Sequence, residues 1–262
     1  FLYLGYDQST PQGIFRRWRL NLNGWSSWSF GGEHYNAGGN VNGSFQLANF
    51  WGGYGGINYN GSGLSSGFLR GGPAYRREPN LNGWWGMNSD SRKPVQVNLN
   101  GWWNVRSESD SWNFGLSPYV SWRPSGSTSV SLGANYNRNV NDNQWIQKVG
   151  DDDPSYVFGR LDQNTLGLTA RVDMAFTPTL SLQLYAQPFI SAGDYSAFKL
   201  VADPRAASLA DRIDPLGPDR ISPTTIDDDP YYALDVDGDG STDWEIEDPA
   251  FNFKQLRSNL VL

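Results

Sequence analysis

The run Val95-Gln-Val-Asn-Leu-Asn-Gly-Trp-Trp-Asn-Val-Arg106 alternates strictly. Val95, Val97, Leu99, Gly101, Trp103 and Val105 occupy one set of positions, and Gln96, Asn98, Asn100, Trp102, Asn104 and Arg106 the other. A strand sends successive side chains to opposite faces, so one face here is apolar and the other almost all amide. The same period recurs along the chain. Trp18, Leu20 and Leu22 alternate with Arg17, Arg19, Asn21 and Asn23, and Val41 to Leu47 alternate with Asn42, Ser44 and Gln46. Trp112 to Trp122, Val130 to Tyr136, Leu166 to Phe176 and Leu180 to Ala186 repeat it. Period two sustained over roughly ten residues predicts strands, about ten of them, in up-and-down order.

The joins between these runs also alternate. Short turns are expected at 10–13, near 49–51, at 91–94, at 124–127 and at 177–179. Longer joins are expected near 31–39, 65–80, 141–155 and 194–249, with 107–111 a short exception. Short turns on one rim and longer loops on the other are the pattern of an outer-membrane barrel. Strands of about ten residues also exceed the five or six usual in soluble sheets, which argues against Trp packing a sandwich core. Trp18, Trp25, Trp28, Trp51, Trp84, Trp85, Trp103, Trp112, Trp122 and Trp145 are expected mostly toward strand ends, as an aromatic girdle.

Alternation alone does not say which face is wet. The polar set is Asn, Ser, Gln and Gly more than Lys and Glu, whereas soluble outer surfaces favour charge. The expectation is therefore all-β: a transmembrane antiparallel up-and-down β-barrel, one domain over 1–262, with an acidic extracellular loop inserted at 194–249. Val95, Val97, Leu99, Trp103 and Val105 then face lipid. Arg17, Arg19, Asn21, Asn23, Gln96, Asn98, Asn100, Asn104, Arg106, Arg171, Asp173 and Gln183 line the lumen.

Composition agrees. Only 38% of the residues are hydrophobic, below the ~45–50% apolar usual for soluble chains, yet 12 Trp, 13 Tyr and 13 Phe are too many for disorder. No apolar run approaches the ~18 residues of a spanning helix, so any crossing is by strands. The absence of Cys excludes disulfides and thiolate metal sites. Of the net charge of −7, residues 194–248 contribute −11 (15 acidic, 4 basic), leaving +4 for the remainder. No basic stripe suggests a nucleic-acid partner.

The sharpest local motif is Asp235-Val-Asp237-Gly-Asp239-Gly-Ser241-Thr-Asp243. Carboxylates at relative positions 1, 3, 5 and 9, with Gly at 6, match the first part of an EF-hand-like loop, making Asp235, Asp237, Asp239, Ser241 and Asp243 candidate Ca²⁺ ligands. Position 12 is Ile246 where a bidentate Glu is usual, so Glu245 or Glu247 would have to substitute; the other reading is a solvated loop of Asp-Gly turns. Asp227-Asp228-Asp229 and Asp151-Asp152-Asp153 read as solvated charge. Arg16, Arg17 and Arg19 beside Arg70, Arg76 and Arg77 would make a basic constriction, or simply paired lumen charges. His34 is the sole histidine, which leaves His-based metal sites and a Ser-His-Asp triad without support. No carboxylate pair nominates itself for glycoside chemistry.

The segments YVFGRLDQ (156–163), LGLTARVD (166–173), FTPTLSLQLYAQPF (176–189), SAGDYSAFK, ADPRA and DPAFNFKQLRSNLVL follow one another. They resemble the C-terminal barrel of an uncharacterised bacterial outer-membrane family, domain of unknown function 5916, most closely over Tyr156 to Leu262. Family members commonly carry a family-9 carbohydrate-binding-like domain before the barrel. The resemblance implies a Gram-negative outer membrane, outer-membrane lipid as surroundings and that domain as a partner in the same polypeptide. It supplies no catalytic residue. No such domain precedes the strands here, the family continues past the position of Leu262, and a terminal aromatic is missing. The chain is thus expected to be part of a larger barrel, incomplete at both ends. The expected role is passage or surface assembly with a Ca²⁺-binding outer loop, and not catalysis. The rivals are a secreted soluble β protein that binds glycans through Trp- and Asn-rich strands, and a barrel-associated glycoside-active enzyme using loop carboxylates.

Overall fold

The alternating runs do form strands. In a computed structural model of the protein, which describes residues 1–152 and 154–262, they are β1 (Leu2–Gln8), β2 (Phe15–Trp28), β3 (His34–Leu47), β4 (Gly52–Asn60), β5 (Gly63–Ser65), β6 (Tyr75–Arg77), β7 (Asn80–Asn88), β8 (Val95–Arg106), β9 (Trp112–Ser125), β10 (Thr128–Val149), β11 (Ser155–Thr177) and β12 (Leu180–Val201). One helical turn, α1 (Leu209–Arg212), precedes β13 (Ile213–Pro215), β14 (Ile221–Ile226), β15 (Asp229–Leu234), β16 (Trp244–Glu247) and β17 (Phe251–Val261). Asp153, of the acidic run at 151–153, lies outside the described residues.

The main sheet runs β1-β2-β3-β4-β7-β8-β9-β10-β11-β12, with β17 along the lower part of β12 and the short β13 along its upper end. Every pairing is antiparallel. The up-and-down order is therefore as expected, but the sheet is not closed: β1 and β17 are its edges and do not pair with each other.

Joins 9–14, 48–51, 89–94, 126–127 and 178–179 lie at one end, called here the turn end. Joins 29–33, 61–79, 107–111 and 202–250, and the described residues between Val149 and Ser155, lie at the other, the loop end. Two expected boundaries move. The join expected at 141–155 is mostly strand, since β10 and β11 pair up to Val149 opposite Ser155. The acidic loop begins at 202 and not at Asp194, because Phe198 and Leu200 bury against Val157 and hold β12 in strand to Val201. The loop is itself folded, with β14-β15-β16 as a separate three-stranded sheet.

One face of the main sheet is apolar and uncovered. Leu20, Leu22, Val41, Ile57, Val97, Val120, Leu132 and Leu168 are all exposed on it. On β11 this face reads Leu166, Leu168, Ala170, Val172, Met174, Phe176. Ten residue steps of ~3.3 Å make about 33 Å along the strand, or about 25 Å if tilted by ~40°, the height of the apolar band of a transmembrane barrel. Toward the loop end the same face turns polar at Asn164, Asp162 and Arg160, and Arg138 meets Asp162 at 2.7 Å.

Among the described residues, a conventional core exists only at the loop end. Val149, Val157, Phe198 and Leu200 pack with Leu216, Leu234 and Ile246 of the acidic loop. Leu69 and Tyr75 of join 61–79 pack with Tyr156 and Phe158. We call this assembly the cap. Register shifts at Asn141/Gln144 and Trp145/Gln147 on β10, and at Phe158/Arg160 against β12, separate it from the sheet below. Bulges of this kind re-aim side chains at sheet rims.

Candidate functional site

The second face of the sheet is built from amides in register. Asn23, Asn40, Asn58, Asn82, Asn104, Asn113, Asn139 and Gln163 are successive cross-strand partners from β2 through β11. Asn is depleted in strands, so a row of this length needs a compensating interaction, and part of it is visible. Asn23 donates to Asn40 (2.7 Å), Asn58 to Asn82 (3.0 Å) and Asn139 to Gln163 (3.3 Å). Neighbouring amides tie in along the strands: Asn42 donates to Asn40 (2.7 Å) and Asn82 to Asn80 (3.0 Å). Each bond adds only about 0.5–1.5 kcal/mol net; their larger effect is to hold uncharged donors and acceptors in a fixed array.

One step toward the turn end, Trp84 on β7 and Trp102 on β8 are directly opposed. They lean apart. Trp84 lies over Gly56 of β4 and Trp102 over Gly115 of β9, so closely that a Cβ at either glycine would overlap the ring. The apolar face mirrors this arrangement, with Trp85 over Gly101 and Trp103 over Gly83. At the loop end, a cleft of about 350 Å³ opens on the amide face between Asn60, Asn80, Asn82, Asn104, Arg106 and Glu78. Glu78 is buried and accepts from Asn143 Nδ2 (2.7 Å) and Ser109 Oγ (2.6 Å), with Arg106 at 3.7 Å. Nearby, Arg212 is fully buried, paired with Glu108 and donating to the Arg76 carbonyl. Burial pushes the neighbouring Tyr75 phenol up to about 12.

The acidic loop closes on itself. Asp235 is buried, accepting from Gly238 N (2.6 Å) and Gly240 N (2.8 Å) on its two oxygens. Asp237 accepts from Asp239 N (3.0 Å), and Asp239 from Ser241 N (2.8 Å) and Oγ. The Ser241 bonds hold the Asp239 carboxyl below its usual range. Positive φ at Gly238 (79°) and Gly240 (89°) permits the tight turn. One oxygen from each of Asp235, Asp237 and Asp239 lies within 4.8 Å of the others. The structure thus brings together three of the five expected ligands. Asp243 instead accepts from Val236 N (2.8 Å), and the Ser241 hydroxyl is engaged by Asp239. Ile246, at the twelfth position, carries no ligand atom on its side chain and is a core residue of the cap; Glu245 is exposed on β16.

Compared with known proteins, residues 1–212 match the family described as Domain of unknown function (DUF5916). The chain belongs to this family. The match extends over all the early strands and includes Tyr156 to Arg212 of the segments that carry the resemblance, but not those from 213 to Leu262. Residues 213–262, including the Asp235 motif and β17, lie outside the DUF5916 match. No curated protein and no solved structure matches the chain.

Within this DUF5916 chain, the expected lumen residues do share one face. Arg17 is opposite Gln46, Arg19 opposite Ser44, and Asn21 and Asn23 opposite Asn42 and Asn40. Gln96, Ser121, Ser131 and Arg171 form one row, Asp173 is paired with Gln183, and Asn98, Asn100, Asn104 and Arg106 follow Gln96 by alternation. The basic constriction does not form. Arg16, Arg17 and Arg19 are at the turn end, with Arg19 paired to Asp7 (2.6 Å) and Arg16 over the Phe50 ring. Arg70, Arg76 and Arg77 are at the loop end, a whole strand away, with Arg70 over Trp145. Trp84 and Trp85 sit in mid-strand and not at strand ends, each with its ring against a glycine of the next strand. The overlooked signal was the segment Asn-Leu-Asn-Gly-Trp, present at 21–25, 80–84 and 98–102.

Proposed function

We propose that this chain forms the wall of a transmembrane β-barrel in the outer membrane of a Gram-negative bacterium, with further strands joining the β17 and β1 edges. Its apolar face meets lipid, and its amide face encloses a water-filled passage for polar solutes. One observation carries the reading: large apolar side chains are exposed across one face in a band about 25 Å tall, while buried apolar side chains are concentrated in the cap. An uncovered apolar face of this extent is far larger than the few hundred Å² a soluble monomer exposes. A soluble glycan-binding sheet would need a second layer to cover it.

The test is folding of the full polypeptide in lauryldimethylamine oxide micelles and in its absence. We expect a monodisperse, heat-modifiable species only with detergent; a monodisperse protein without detergent would sink the reading. Ion conductance across planar bilayers then tests the passage. The convergence of Asp235, Asp237 and Asp239 favours a second element, Ca²⁺ held in the outer loop. Calorimetric titration with Ca²⁺ is expected to give saturable heat that Asp237→Ala abolishes. A flat titration of the parent protein would end this element without touching the barrel.

A further inference from the structure

We infer that the amide face of β4, β7, β8 and β9 is a binding platform for a neutral saccharide chain, with Trp84 and Trp102 as its two stacking surfaces. The inference rests on the barrel reading for a water-filled interior. Each ring has one side pressed on a glycine, at Gly56 and Gly115, and both indoles are half-buried, so the other side is open. Because the rings lean apart toward β4 and β9, three spacings of ~4.8 Å from each other, they lie roughly 10–14 Å apart, about the span of two to three sugar units. A pyranose ring presents axial C–H groups on one side and hydroxyls around its edge. The C–H side suits a flat aromatic; the edge needs partners that both give and accept hydrogen bonds.

Those partners are in place on either side. Asn82 and Asn104 flank the rings toward the loop end, and Asn100 and the Tyr54 hydroxyl flank them toward the turn end, bonded to each other at 2.8 Å. Each carboxamide carries both donor and acceptor groups. Charge selects against ionic ligands. On this face of the four strands the only charged residues are Arg106 and Arg123, one at each end. Between them the surface is neutral, a match for a polyol and a poor one for a polyanion.

The alternative is that Trp84 and Trp102 only pack the sheet, and the molecule holds its own control. Trp85 and Trp103 make equivalent glycine contacts on the apolar face, where no soluble sugar reaches. The experiment titrates the folded full-length protein in detergent micelles with maltohexaose, cellohexaose and an anionic hexagalacturonate, following heat and Trp fluorescence. Folding is scored separately by heat-modifiability, so failure of the barrel is seen before any sugar is added. We expect saturable binding of at least one neutral hexasaccharide, weakened at least tenfold by Trp84→Leu or Trp102→Leu and unchanged by Trp85→Leu or Trp103→Leu. Absence of neutral-sugar binding by folded protein would overturn the inference. So would equal loss in the inner and outer variants, or binding of hexagalacturonate alone.

Discussion

Between Leu166 and Phe176, strand β11 turns its leucines and Phe176 out to an uncovered face; ten residues earlier the same strand buries Val157 and Phe158 completely. Strands β10 and β12 make the same change, the lower parts exposing Leu132, Leu184 and Ile190 and the upper parts burying Val149, Phe198 and Leu200. Below the bulges, apolar side chains are outermost and amides face one another. Above them, apolar side chains meet in a core. The residue types barely differ; the surroundings do. In water, burying apolar surface drives folding at about 25 cal/mol per Å². In hydrocarbon that drive is absent, and satisfying the backbone in a sheet takes its place. On the barrel reading proposed above, cap and sheet are two answers to two solvents, joined by continuous strands.

The largest expected effect breaks the cap alone. Phe158→Ala removes a fully buried ring and should destabilise the cap by about 3–5 kcal/mol. Limited proteolysis should then cut join 61–79 while heat-modifiable mobility persists; simultaneous loss of both would mean that cap and sheet are one cooperative unit. Next, Leu132→Arg places charge in the middle of the apolar band, where Leu132 is 60% exposed. In lipid vesicles it should cost about 2–4 kcal/mol by denaturant titration, whereas Ser131→Arg, one residue along on the amide face, should stay within about 1 kcal/mol of the parent. A smaller contrast probes the ring-on-glycine contacts. Gly115→Ala collides with Trp102 and should cost about 1–3 kcal/mol. Gly167→Ala meets Phe189 only at 3.6 Å and should stay within about 0.5 kcal/mol.

The smallest effect lies in the turn at 89–94. A hydrogen bond from Arg92 lowers Asp90 to about 2, so ionised Asp90 stabilises the folded turn. That contribution is complete above its ordinary pKa of ~3.9 and is lost as pH falls toward 2. The stability gap between the parent and Asp90→Asn should be constant above about pH 4 and close below it; a gap unchanged at pH 2 would contradict the assignment.

Alternation made most of the sheet legible, including the shared face of Arg17, Asn21, Gln96 and Arg171, because a period of two needs no knowledge of partners. The cap was hidden for the opposite reason. Whether Phe158 is core depends on Leu69 and Tyr75, some eighty residues earlier, and no local pattern carries that contact. The strands run past the expected ends at Asp194 and Asn141, where the bulges break the period. In the acidic loop, spacing placed Asp235, Asp237 and Asp239 together and already showed Ile246 at position twelve; what the sequence did not carry is that Ile246 packs with Leu234 in the cap.

The paired segments Asn80–Asn88 and Asn98–Arg106 have a consequence for assembly. Sliding one strand past another by two residues leaves every side chain on its proper face, so two-sidedness cannot reject such an error. Here, a slip one way would set Trp103 against Leu81 where Gly83 now receives it, and a slip the other way would set it against Trp85. Ring and glycine together therefore work as notches on a ruler: among all the alignments that keep oil out and amide in, they mark one.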